Sequence, residues 1–292
     1  MPTDPAQRYL LSFEITLLVA GAALLIWLVA SPAGRVQWLG TNALSSWLVS
    51  PPDFALLVVL VMLGGLFFQL GAQQLLGGRI SASPDPIGLG MSVYSLANYV
   101  GALLGGLLFA PLRKHWGFTA GEEIPVAPPV RSPALPWSRV LLYAGGTLLI
   151  SLPLLSALSI GWTAVLRQCG LPDEPQALLA IFDHTKSRLV LAAMVLVAGG
   201  LAPVYEEIVF RAGLYRFCRR WLGRNWALAL SGAIFGAMHG NLAGFLPLAV
   251  LGALLALAYE ATGSLRVPIV AHALFNLNTV AVVFAGLQEI GP

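Results

Sequence analysis

Long apolar runs at 10–30, 54–76, 91–112, 138–166, 188–216, 225–240, 243–260 and 267–287 alternate with short polar segments along the chain. Runs of about 20 residues have the length a helix needs to cross a bilayer core. They lack the strict alternation of a barrel strand, and a bilayer offers no water to unpaired backbone, so each run is expected to be a helix. The pattern predicts an all-α polytopic transmembrane bundle of about eight spans.

The longest polar interruption, RKHWGFTAGEEIPVAPPVRSPALPW at 113–137, is rich in Pro and Gly and reads as an irregular loop. It divides the chain into an N-terminal transmembrane region, 1–137, with about three spans, and a C-terminal region, 138–292. The first apolar run, Leu10 to Ala30, is too long for a signal-peptide core and lacks a good cleavage site, so it is expected to be a retained span.

Composition agrees with the pattern: 58% of residues are hydrophobic and only 10% charged, with a mean hydropathy of +0.81. The net charge of +3 is carried mostly by arginine, and no basic stripe interleaved with aromatics is present, so lipid headgroups and not nucleic acid are the expected polyanions. Assigning Lys and Arg to alternate sides of eight spans puts ten on one face and five on the other. The positive-inside rule makes the richer face cytoplasmic and both termini external. Cys169 and Cys218 fall at opposite ends of candidate spans, which argues against a disulfide between them. Arg, Ala and Gly usage suggests a bacterial source and hence the inner (plasma) membrane.

Against this background PVYEEIVFR, at 203–211, is costly. On a helix Glu207 and Arg211 are four apart and share a face, so they can pair, whereas Glu206 points about 100° away and has no local partner. A carboxylate in that position suits a general base or a metal ligand; the plainer reading is that the trio joins helices or reaches water. A second pair, Glu122–Glu123, sits in the Pro-rich loop and reads as solvated. His115 and His184 lie in polar loops, while His239 and His272 lie in apolar runs. If the spans around 222 form a hairpin, Glu206 and His239 lie at similar depth. Phe235 shares a helix face with His239, and Asn276 shares one with His272. For His272 to reach the same level, the helix carrying Glu206 must project beyond the membrane toward Arg219.

Glu206-Glu207-x-x-x-Arg211, Phe235-x-x-x-His239 and His272-x-x-x-Asn276, in this order and each on an apolar run, resemble the three motifs of the CPBP intramembrane proteases. That family includes the type II CAAX prenyl endopeptidases and the Abi-type bacteriocin-processing proteins. Pro203 and TGSLRVPIVAHALFN add to the likeness, which covers about 188–287. One departure is Ala212, where the family often has Gly directly after the motif arginine.

The resemblance implies an integral membrane endopeptidase that cleaves membrane-embedded or lipid-modified polypeptides, its site facing the cytoplasmic half. It implies that Glu206 activates water with help from His239, and that His272 and Asn276 bind the oxyanion. Glu207 and Arg211 would hold the geometry, with Phe235 packed beside His239. Glu206, His239 and His272 could alternatively ligate zinc, giving a metalloprotease, although there is no HExxH pair and a metal-free glutamate mechanism uses the same residues. Two other classes compete. An ion-coupled transporter would use the same carboxylates and histidines as a cation path, and a silent scaffold would bind another membrane protein.

Overall fold

A computed structural model of the chain describes residues 5–34, 44, 49–116, 134–174, 181–182 and 185–286, without the side chains of 113–116. Glu122, Glu123, His184 and the side chain of His115 lie outside this description. All regular structure among the described residues is helical. In chain order the helices are α1 (Pro5–Ala30), α2 (Pro51–Ser81), α3 (Pro86–Leu107), α4 (Phe109–Trp116), α5 (Trp137–Gln168), a long continuous run from Arg188 to Leu222, then α6 (Arg224–Met238), α7 (Leu242–Thr262) and α8 (Arg266–Phe284).

Seven of the described helices are long and apolar enough to cross a bilayer. The chain is an integral, multi-pass membrane protein. The expected count of eight falls by one at 225–240, where α6 has 15 residues and a length of about 22 Å, short of a hydrocarbon core about 30 Å thick. The run carrying Glu206 extends the other way. Its 35 residues, Arg188–Leu222, continue past Arg219.

Local chemistry sets the ends of these helices. Ser50 and Ser187 accept the Asp53 and Val190 amides at the starts of α2 and of the long run. Asn241 accepts the Gly244 amide at 2.6 Å to start α7. Gly223, at φ +79°, makes the reversal between the long run and α6 that a side chain would resist.

Packing divides the chain into two compact units. One comprises Ser45–Pro133 and His184–Tyr205, and in it α2 lies along α3 while Asp85 accepts the Lys186 and Ser187 amides. The other comprises Met1–Leu44, Ala134–Asp183 and Glu206–Pro292. Its core joins α5, α7 and α8 through Ala144, Leu155, Leu251, Leu255 and Ala271. There α6 and α7 approach so closely that a Cβ on Gly232 would stand 2.5 Å from the Ala249 carbonyl oxygen. Small residues permit such contact where no hydrophobic effect drives helices together.

At the far end of this pair lies a feature that sequence reading passed over. Glu260, on α7, is 1% exposed and pairs with Arg219 at 2.9 Å and Arg224 at 2.6 Å. One carboxylate thereby ties three consecutive helical segments across the Gly223 reversal. Breaking a buried pair typically costs 3–5 kcal/mol, and because both arginines are partly exposed, about 2 kcal/mol is expected for Glu260→Ala. Thermal unfolding of the purified protein should show a lower Tm for Glu260→Ala and a smaller fall for Glu260→Gln, which keeps two hydrogen-bonding atoms. An unchanged Tm in both variants would show that the clamp carries no stability.

Candidate active site

Glu206 and Glu207 stand in a short α-helical segment, Ala202–Glu207, between two π-helical turns, Val197–Leu201 and Ile208–Tyr215. Pro203 accounts for the first. It has no N–H, and its ring would press on the carbonyl four residues back, so the ladder widens and Ala202 donates to Val197, five residues earlier. The second turn carries Phe210 and Arg211, both buried.

Glu207 is fully buried, which demands partners for its charge. Its Oε2 lies 3.0 Å from Arg211 Nε, the pairing expected from their spacing, in ion-pair contact without hydrogen-bond alignment. Its Oε1 accepts a hydrogen bond from His272 Nδ1 at 2.9 Å. Arg211, also buried, donates from Nη2 to the Gly252 carbonyl at 3.2 Å and lays its guanidinium 4.4 Å from the centre of the Phe235 ring. Glu207 is therefore the centre of a relay that runs from the long helix to α8. Gly252, in the small-residue run LGALLA, thus gives its carbonyl to Arg211.

Glu206 is placed differently. Its side chain keeps 17% exposure, and its Oε2, which has no hydrogen bond among the described residues, lies 3.9 Å from His272 Nε2. The two nitrogens of His272 thus face two different carboxylates. Nδ1 is committed to Glu207, and Nε2 is the one that meets Glu206.

Phe235 is completely buried and joins the two histidines: its ring makes edge contacts with His239 at 4.9 Å and with His272 at 5.7 Å. It does more than flank His239. Phe210 meets its ring at 5.1 Å, nearly perpendicular. His239 ends α6, and its Nδ1 lies 2.8 Å from the Phe235 carbonyl oxygen. A carbonyl only accepts, so Nδ1 carries the hydrogen, and in the neutral ring Nε2 keeps the lone pair. Asn276 is half-buried one turn beyond His272 on α8.

The fold therefore brings Glu206, Glu207, Arg211, Phe235, His239 and His272 into one connected cluster. His239 joins it through Phe235, not through an ion pair with either carboxylate. Among the described residues no three His, Cys, Asp or Glu side chains are gathered to hold a metal ion. Glu206, His239 and His272 are thus not gathered as three ligands to one ion.

Comparisons with known proteins fall on this same stretch. Residues 188–278 match the family model described as Type II CAAX prenyl endopeptidase Rce1-like. A relative from Bacillus subtilis (strain 168), "Putative membrane peptidase YdiL", is 29% identical over 111 residues. That match covers 38% of this chain and 44% of the relative, less than half the length of either. No solved structure matches. The matched stretch contains the whole cluster from Glu206 to His272, and Asn276 as well, so the likeness to the type II CAAX prenyl endopeptidases falls on the residues that form the site.

Proposed function

We propose that this protein is an integral membrane endopeptidase in which Glu206 activates water against a peptide bond within or beside the bilayer. The observation that carries this reading is the contrast between the two adjacent carboxylates. Glu207 is fully buried between Arg211 at 3.0 Å and His272 at 2.9 Å, whereas Glu206 keeps 17% side-chain exposure and meets His272 Nε2 only at 3.9 Å. One is committed to structure, and the other is available to move a proton.

In the proposed reaction a water held near Glu206 attacks the carbonyl carbon. A C–O bond forms, Glu206 takes the proton, and the carbonyl electron pair becomes the oxyanion. His239 Nε2, with its lone pair, orients the same water. Asn276 and His272 donate to the oxyanion, His272 from Nε2, the nitrogen not engaged by Glu207. As the intermediate collapses, the C–N bond breaks and Glu206 returns its proton to the leaving nitrogen. Arg211 and Glu207 fix the ring of His272 throughout. Zinc is not required for any of these steps.

Hydrophobic or lipid-modified polypeptides are the natural substrate class, because the cluster stands on membrane-spanning helices. The family match and the name of the relative point to the same chemistry. The crowding of arginines at 216–224, read with the positive-inside rule, supports a site open to the cytoplasmic half of a bacterial inner membrane.

The decisive experiment is cleavage of membrane-tethered peptides by the purified protein in liposomes. Glu206→Gln should lower the rate by about 10²–10⁴-fold, the worth of a general base, while leaving the Tm close to wild type. Asn276→Ala should lower kcat by about 10²–10³-fold. Activity that survives a chelator would fit the metal-free mechanism; loss restored by zinc would overturn it. A wild type that moves a small solute and cleaves nothing would give the cluster to the carrier reading instead.

Glu207 yields a prediction on stability. Glu207→Ala strands the buried Arg211 and should cost about 3–5 kcal/mol. Replacing both, as Glu207→Met with Arg211→Leu, should cost less than the sum of the single changes. Equal and additive losses in thermal unfolding would mean that the two side chains are not coupled.

A further inference from the structure

The stretch matched by the family begins at residue 188, after α2 and α3, and nothing so far gives these helices a task. Together they form an antiparallel pair joined at residues 82–85. At one end the pair is closed by glycine: a Cβ on Gly101 would stand 2.3 Å from the Gly64 carbonyl oxygen. A Cβ on Gly65 would come within 3.0 Å of Asn98 Nδ2. Beyond that point the contact opens. A cavity of about 540 Å³ follows, lined by Gln69, Pro86, Ile87, Gly90, Met91, Tyr94, Ser95, Asn98 and Tyr99.

Its floor is a pair of amides, with Asn98 Nδ2 donating to Gln69 Oε1 at 3.1 Å. Gln69 lies 12 residues before the end of α2 and Asn98 lies 12 after the start of α3, so the floor is about 18 Å along the helices from the turn. That is roughly half the depth of a hydrocarbon core of about 30 Å. Pro86 and Ile87 stand at the turn end.

The lining selects a kind of occupant. It has no charged side chain, so an ion would enter without compensation. It has polar groups where lipid-facing helices would have none: two amides, one hydroxyl and two phenols. An Asn–Gln pair that shares one hydrogen bond leaves one NH₂ and one carbonyl oxygen, whichever way the amides are turned. A polypeptide backbone offers the same pairing of donor and acceptor. Tyr94, Tyr99 and Met91 supply apolar surface beside these groups. The volume lies within the 300–1,000 Å³ range of ligand sites. Tyr99 is held in the wall by stacking on Tyr205 at 4.6 Å between ring centres.

From these observations we infer that the slot between α2 and α3 binds an uncharged segment of the polypeptide substrate, through the Gln69–Asn98 amides and the Tyr94 and Tyr99 rings. The inference rests on the endopeptidase reading for the identity of the occupant as substrate. The slot confers a preference for uncharged polar residues in that segment and excludes Lys, Arg, Asp and Glu.

The test separates binding from cleavage. Full-length Glu206→Gln protein in liposomes is exposed to palmitoyl-anchored Ala–Leu peptides of equal length, each with a central photo-crosslinking phenylalanine analogue. One peptide has Ser-Asn beside the probe and another has Lys-Asp. The Ser-Asn peptide should label residues within 69–99, at least fivefold more than the Lys-Asp peptide. Gln69→Leu and Asn98→Leu should each cut that labelling at least fivefold, with Tm as the check on folding, while Leu75→Ala, on the exposed side of α2, should leave it unchanged. Labelling that avoids 69–99, ignores the two substitutions or is equal for both peptides would overturn the inference, as would a photoactivatable phospholipid that labels the slot and is not displaced by the Ser-Asn peptide. The two claims can fail separately. If wild-type protein cleaves these peptides while no label reaches the slot, the endopeptidase reading stands and the slot falls. If the slot is labelled as stated but no peptide is cleaved, the binding site stands and the proposed reaction falls.

Discussion

A carboxylate cannot be left bare in a medium that does not solvate it, and this constraint organises the cluster around Glu207. Glu207 has no exposure and is met by Arg211 on its own helix and by His272 on α8. Arg211 in turn needs the Gly252 carbonyl and the face of Phe235. Each solution to the burial problem recruits another helix. The ion pair gains little by itself once desolvation is counted; what it supplies is a fixed arrangement, because each partner removed would leave the others without compensation. Glu206 differs in keeping part of its side chain exposed and meeting the relay only at the outer nitrogen of His272, 3.9 Å away.

Much of this could be read along the chain, wherever partners were close in sequence. The pairing of Glu207 with Arg211 follows from a spacing of four, and the helical character of every apolar run follows from length. The Glu207–His272 bond spans 65 positions, and no periodicity reports a contact between helices that distant. Phe235 was legible as a neighbour of His239, four residues on, but its contacts with Arg211 and His272 belong to tertiary packing. Glu260 was missed for a different reason. An acidic residue just before Thr-Gly-Ser looks like a solvated helix end, and the arginines that bury it were counted as loop charge. The signal was present in the excess of arginine around Gly223 with no acid nearby in sequence.

The π-helical turns illustrate a further limit. Pro203 marks the first, since a missing amide must be absorbed somewhere, but nothing in IVFRAGLY announces the second. A π turn changes which residues share a face, so helical-wheel reasoning holds only within the stretch on either side. The Glu207–Arg211 pairing survives because it sits at the start of the turn, before the altered register accumulates.

The end of α6 has its own consequence. A helix terminus leaves carbonyls without amide partners, and at Phe235 the side chain of His239 supplies the missing donor. The backbone thereby chooses the tautomer. A lysine or arginine there could close the helix equally well but would present no lone pair. In this fold one imidazole finishes a helix through Nδ1 and leaves its other nitrogen on the opposite side of the ring.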